Sequence, residues 1–329
     1  MGLPDNIFAA DDKNFTSLAL AVFRFQYQHN LLYKKYCDTL KTNAGKIDCI
    51  RQIPFLPIQF FKGHRVAATP FEAEVVFESS GTTQTINSSH YVKDISLYRQ
   101  SFNKAFRLFY GDPAAWCIIA LLPSYLERNN SSLVKMMDEL IQQTGHAQSG
   151  FYLHDFTKLH STLQHLEQQQ QKTLLLGVTF ALLDFAEQYP IPLKYSTIME
   201  TGGMKGRREE LTRHEVHKIL CGSFQVAKIH SEYGMTELLS QAYSTGNGIF
   251  NCPPWMQVLL RDEDDPFAIH TAPADNTISG AINIIDLANI YSCPFIATED
   301  AGKLHPGGSF EILGRLDNSD IRGCSLLAL

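Results

Sequence analysis

Three short stretches combine residue types that can handle phosphate, metal and sugar. Ser79-Ser80-Gly81-Thr82-Thr83 sets four hydroxyls around one glycine. Backbone and side chains of such a loop can close around phosphate oxygens. It is not a Walker A loop, because no Gly-Lys-Ser/Thr follows, and an ordinary Ser/Thr turn has the same composition. In Tyr233-Gly234-Met235-Thr236-Glu237 the Glu237 carboxylate could hold Mg²⁺ while the Thr236 hydroxyl contacts a phosphate. The plain alternative is a glycine turn with an exposed Glu. Thr298-Glu299-Asp300-Ala301-Gly302 leads towards Gly314-Arg315-Leu316-Asp317. Asp300 can take both ribose hydroxyls and Arg315 can reach ribose or phosphate, against a surface turn with a salt bridge.

The elements that must position these stretches alternate. Apolar spacing predicts helix over 12–43, with Leu18, Val22, Phe25, Leu31 and Leu32 on its face. Prolines at 54, 57 and 70 then break the chain into an irregular connection. A strand at Val75–Phe77 precedes the hydroxyl loop, and Asp94 can cap a helix whose face is Ile95, Tyr98, Phe102, Ala105, Phe106 and Phe109. Trp116–Leu122, Thr173–Leu176, Ile198–Met199 and Val226–Ile229 read as strands. Ser132–Gln143, Phe180–Gln188 and a charged segment from Arg207 read as helices. Gln168–Gln171 is expected on the wet face of a helix. Asp262–Gly280 is acidic and turn-rich, and Ala281–Ile285 and Phe310–Leu313 read as strands. This alternation predicts an α/β fold with a mostly parallel sheet. Ligands of such sheets bind at the carboxyl ends of strands, where the stretches at 79–83, 201–206 and 231–237 fall.

Composition narrows the class. The 329 residues are 44% hydrophobic and 19% charged, ordinary for a globular enzyme and inconsistent with a disordered chain. A formal net charge of −6 argues against a nucleic-acid binder. The seven cysteines (37, 49, 117, 221, 252, 293, 324) form no CxxC pair, so neither a disulfide scaffold nor a structural zinc site is expected. His154, His160, His165, His214 and His217 are scattered, and no metal beyond Mg²⁺ is expected. His217 is read on the solvated face of a charged helix. The N-terminus has no signal-peptide pattern, the myristoylation pattern fails at Asn6, and no apolar run reaches the about 20 residues of a membrane helix. A reduced, soluble, cytoplasmic protein is expected.

Taken in order, Ser-Ser-Gly-Thr-Thr, Gly202-Gly203, Tyr-Gly-Met-Thr-Glu, Thr-x-Asp and Gly-Arg-x-Asp resemble the adenylate-forming superfamily of acyl-CoA synthetases, luciferases and peptide-synthetase adenylation domains. The likeness runs from about residue 75 to residue 325. Within it the chain is similar to the lux-type acyl-protein synthetases, long-chain-fatty-acid–protein ligases. That narrower likeness rests on Leu56-Pro57-Ile58-Gln59-Phe60-Phe61-Lys62, on Glu200-Thr201-Gly202-Gly203-Met204-Lys205-Gly206, and on the ending from Gly314 to Leu326. Phenylacetate-CoA ligases are the nearest neighbours in kind.

The resemblance implies the large N-terminal-type domain of adenylate-forming enzymes, α/β with a strand-rich C-terminal part. A helical segment at 1–70 would precede a core at 71–329, strand-rich from about 240. It implies ATP, Mg²⁺ and a small carboxylic acid, activated as the acyl-adenylate. Ser79, Ser80, Gly81, Thr82 and Thr83 would cradle the β- and γ-phosphates. Glu237 would hold Mg²⁺ and Thr236 would contact the α-phosphate or acyl carboxylate. Gly202 and Gly203 would line the adenine or acyl channel, with Tyr233 and Gly234 bordering the adenine, and Asp300 would bind ribose beside Arg315. Part of the acyl pocket would come from Gly177-Val178-Thr179-Phe180. Cys324, five residues from Leu329, would carry the acyl group as a thioester for a reductase or carrier protein. The plain alternative is a small space-filling thiol. Fourteen residues follow Arg315, so the small lid domain and its catalytic lysine are expected to be absent. Lys205 is the first candidate to act instead, against a surface role. CoA as acceptor is disfavoured by the same absence, and a partner or self-association is expected to accompany the activity. A nucleotide- or acyl-binding subunit without chemistry is the reading of another class.

Overall fold

The structure is a computed structural model that describes residues 6–79, 87–122, 130–153, 155–202 and 211–316. The chain forms two compact units. One takes the described residues of Met1–Ser101, Met235–Ser240 and Asn251–Leu329, and the other takes those of Phe102–Gly234 and Gln241–Phe250.

The second unit is built on parallel strands in the order Gly150–Phe151, Cys117–Leu121, Thr173–Val178, Ser196–Thr201, His230–Tyr233, with Ala242–Ser244 added antiparallel. Cys117–Leu121 and Thr173–Val178 are buried at every position. Continuous apolar runs of this kind suit a parallel sheet covered on both faces. The covering helices include Ser132–Thr144, capped by the Ser131 hydroxyl and closed by left-handed Gly145, and Thr179–Gln188.

In the first unit the sheet is antiparallel, in the order Ile269–His270, Met256–Arg261, Ile278–Asp286, Phe295–Leu304, Phe310–Arg315. Leu56–Pro57 pairs in parallel with Ile296–Ala297. A strand has two edges, so Leu56–Pro57 and Phe310–Arg315 share one edge of Phe295–Leu304 in succession. A separate hairpin, Val75–Glu78 with Ser89–Val92, precedes the helix Ile95–Tyr110. The predicted cap is there: the Ser96 N–H donates to Asp94 Oδ1 at 2.8 Å.

Several expectations are corrected. The predicted helix over 12–43 is two helices, Phe15–His29 and Leu31–Thr39. Asn30 separates them because its side chain caps the second helix at Tyr33 N–H and donates to Ser292 O, 262 residues away. Val226–Ile229 is not a strand; the strand is His230–Tyr233, in register with Met199–Thr201. Gln168 ends a helix and Gln169–Gln170 form a turn, so the glutamines do not line a helical face. Among the described residues the charged helix starts at Arg213, behind a Thr212–Glu215 capping box. Thr298–Gly302 is not a turn but lies inside the strand Phe295–Leu304. Ser80, Gly81, Thr82, Thr83, Gly203, Lys205 and Cys324 lie outside the described residues.

Candidate active site

The first unit carries Ser79, Thr236, Glu237, Asp300 and Arg315. Ser79 sits where the hairpin opens. Its N–H donates to Ser88 O at 3.0 Å, and its hydroxyl accepts the Ser88 N–H at 2.9 Å. The Ser88 hydroxyl in turn hydrogen-bonds the Glu237 carboxylate. Two predicted site residues are thus joined through one serine.

Glu237 is 6% exposed. Burial pushes its carboxyl above the usual range, opposed by Ser88 and by the charges of Arg315 and Lys62. The plain alternative of an exposed Glu is therefore wrong. The backbone beneath it is fixed from three directions by buried side chains. His90 donates from Nδ1 to Thr236 O at 2.8 Å, the only role a carbonyl partner permits. Asn289 Nδ2 donates to Glu237 O at 2.6 Å. Asp286 accepts the N–H groups of Leu239 and Ser240, the Ser240 hydroxyl at 2.6 Å and the Ala288 N–H. Burial lowers His90 to about 4, keeping it neutral, and raises Asp286 to about 6 despite its four donors. None of these three residues was predicted. The available signal was the acid Asp286 at the end of the mostly apolar stretch Ala281-Ile282-Asn283-Ile284-Ile285.

Asp300 and Arg315 face each other as register partners on neighbouring strands. The Asp300 N–H donates to Thr298 Oγ1, which itself donates to Ile282 O at 2.9 Å. Arg261 bonds Thr298 O at 2.6 Å and Asn283 Oδ1 at 2.7 Å. A part-buried guanidinium thus braces the strand that presents Asp300.

Gly202, Tyr233 and Gly234 belong to the second unit. Gly202 has φ 70°, a left-handed conformation suited to glycine, and its carbonyl accepts from Thr179 Oγ1 at 3.2 Å. The Gly177–Phe180 stretch and Gly202 are therefore neighbours. A Cβ on Gly234 would strike Glu232 Oε1, so the buried carboxylate leaves room there for glycine and not for a larger residue. Tyr233 lies 6.0 Å from the Phe250 ring. Two acids close this region. Glu200 receives Thr179 Oγ1 at 3.1 Å and Arg213 Nε at 3.3 Å, with His217 Nε2 at 3.5 Å. Burial raises its carboxyl, but His217 and Arg213 outweigh that and leave it below the ordinary range. Glu232 has Thr201 as its hydroxyl donor; burial and the Glu200 charge raise it to about 7. His217, expected on a solvated face, instead turns inward to Glu200.

Mg²⁺ keeps several waters and takes one or two carboxylates together with substrate phosphates. Among the described residues no group of three or more His, Cys, Asp or Glu is placed to hold a metal ion. Glu237 fits the single-carboxylate form of such a site.

The fold is similar to that of a solved CoA ligase. The chain aligns with 2-hydroxyisobutyryl-CoA ligase, determined in the postadenylation state with an acyl-AMP, at TM-score 0.64 and 10% identity, covering 95% of this chain and 70% of that one. Looser likenesses are a luciferase-like enzyme of the mealworm Zophobas morio (TM-score 0.48, 16% identity, 77% of this chain and 60% of that one) and a long-chain-fatty-acid-CoA ligase of Archaeoglobus fulgidus (0.48, 13%, 73% and 51%). The family model for acyl-protein synthetase, LuxE, matches residues 8–328, and the chain belongs to that ligase family. Among curated proteins none matches the sequence. No helix among the described residues is long and apolar enough to cross a membrane.

Proposed function

We propose that the chain activates a carboxylic acid, a fatty acid in the first instance, with ATP and passes the acyl group to a protein thiol. In the first step the acid's carboxylate oxygen attacks Pα. The C–O–P linkage forms, the Pα–O–Pβ bond breaks, and its electron pair leaves with pyrophosphate. In the second step the Cys324 thiol loses its proton to solvent, the thiolate attacks the acyl carbon, the S–C bond forms, and the C–O bond to AMP breaks with its electron pair leaving on AMP. The resulting thioester would be offered to a reductase or carrier protein. A reducing cytoplasm is the compartment in which such a thiol persists.

The observation that carries this reading is the loop at 235–240. Its backbone is held by His90, Asn289 and Asp286, so the buried Glu237 carboxylate is presented without a reorganisation cost. Mg²⁺ held there would offset charge on the triphosphate. Thr236 would donate to the α-phosphate or the acid, and Ser79 with Ser80, Gly81, Thr82 and Thr83 to the β- and γ-phosphates. Asp300 would accept from the ribose hydroxyls beside Arg315. Gly202 and Gly203 would line the adenine or acyl channel, Tyr233 and Gly234 would border the adenine, and Lys205 would approach the reacting groups.

The test is intact mass after incubation with ATP, Mg²⁺ and a panel of fatty and aryl acids. One added acyl group, released by neutral hydroxylamine and missing in Cys324→Ala, is expected. Pyrophosphate release without added mass would redirect the acyl group to a free thiol such as CoA. Neither mass gain nor pyrophosphate with any acid would sink the reading.

A further inference from the structure

The segment from Leu56 to Lys62 has no task in the reaction above, yet it is tied to both halves of the first unit's site. Leu56–Pro57 pairs with Ile296–Ala297, and the Ile58 N–H continues the contact to Ala297 O at 2.9 Å. Gln59 Nε2 donates to Glu299 Oε1 at 2.6 Å, beside Asp300. The short helix Phe60–Gly63 follows. Its Phe61 is buried edge-on against His90, with ring centroids 5.9 Å apart. His90 is the residue that bonds Thr236 O. Lys62, the next residue, is exposed. Its charge acts on the Glu237 carboxylate, but it forms no ion pair with a described residue.

A solvated surface lysine explains exposure. It does not explain a backbone anchored on one side to the Asp300 strand and on the other, through Phe61 and His90, to the Thr236–Glu237 loop. Anchoring of this kind fixes where an ammonium group can reach, and a positioned cation is what a developing phosphate charge requires. Resting on the proposed function, we propose that Lys62 is a catalytic residue of the adenylation step. Its ammonium donates to triphosphate oxygens and stabilises the charge that gathers on pyrophosphate as the Pα–O–Pβ bond breaks. Lys62 takes no part in proton transfer.

The two half-reactions separate this role from a structural one. ATP–pyrophosphate exchange reports adenylation, and acylation by a supplied synthetic acyl-adenylate reports thiol transfer. Lys62→Ala is expected to slow exchange by about 10²-fold with transfer from the acyl-adenylate little changed, and Lys62→Arg to recover most of the loss. Lys46→Ala, a control on another exposed lysine, should behave as wild type. Because Lys62 is exposed, its melting temperature should not move. Exchange by a folded Lys62→Ala within about twofold of an active wild type overturns this role alone. So does an equal loss in both half-reactions. A wild type without exchange for any acid overturns the proposed function, and this role with it.

Discussion

Two buried acids, one in each unit, show how much a carboxylate's neighbours decide. Asp286 is 0% exposed and accepts three backbone N–H groups and one hydroxyl. Glu232, 7% exposed, has the Thr201 hydroxyl and lies within reach of the Glu200 charge. Burial raises both, Asp286 to about 6 and Glu232 to about 7. Asp286 has donors enough to stay ionised at neutral pH and serves as a clamp on backbone. Glu232 is poised between its two forms and serves as a floor beneath Gly234. Similar burial therefore yields a fixed charge in one place and a titrating one in the other.

The sharpest way to break this comparison is to remove the clamp. Asp286→Ala leaves three N–H groups and a hydroxyl without their acceptor, and it should destabilise the chain by about 4 kcal/mol. The midpoint of urea unfolding checks it, and a loss below about 1 kcal/mol would show that water replaces Asp286 easily. Next comes the residue the clamp presents. Glu237→Gln keeps the shape and relieves a buried charge, so stability should hold. Pyrophosphate exchange should fall by about 10²-fold, equivalent to about 2.7 kcal/mol of barrier. Equal exchange in the variant would detach Glu237 from the proposed chemistry.

The contrast also explains what the sequence made legible. The order of motifs and the strand–helix alternation follow from local residue types, and the family resemblance implied Arg315 beside Asp300, which the structure has as register partners. The clamp was not legible, because Asp286, Asn289 and His90 act on residues 46 to 146 positions away. Periodicity has no term for such contacts. The same cause broke the predicted helix over 12–43, since Asn30 is held by Ser292 from across the unit. Thr298–Gly302 looked like a turn because hydroxyl, acidic and glycine residues usually make one. Its place in a strand is set by pairing to Ile278–Asp286 and Phe310–Arg315. His217 looked solvated because its helix is charged, but Glu200 on a neighbouring strand reclaims it.

A smaller effect sharpens the other side of the comparison. Glu232 has a folded value of about 7 against 4.5 unfolded. Between those values the folded state holds more protons than the unfolded one, so its contribution to stability is complete below about pH 4.5 and is lost as pH rises to about 7. Glu232→Gln still accepts from Thr201 and cannot ionise. It should match the wild type at pH 4.5 and exceed it at pH 8 by about 3 kcal/mol, on the scale of about 1.4 kcal/mol per pKa unit. Parallel stability curves for the two proteins would mean that Glu232 titrates as an ordinary carboxyl and that the floor beneath Gly234 carries charge at neutral pH.

The smallest effect separates His90 from both acids, because its sign is opposite. Burial holds the folded imidazole near 4 against 6.5 unfolded. Between those values the unfolded chain binds the extra proton, so His90 makes stability rise with pH over the window in which Glu232 makes it fall. His90→Gln can place an amide N–H near Thr236 O and does not titrate. It should cost about 1 kcal/mol at pH 7, the size of one rebuilt hydrogen bond, and remove the rising contribution between about pH 4 and 6.5. Placed in the Glu232→Gln background, it should leave a curve flatter in that window than either single variant. A double variant with the slope of Glu232→Gln alone would show that His90 binds its proton in the folded chain as it does in the unfolded one, and that burial against the Thr236 loop does not shift it.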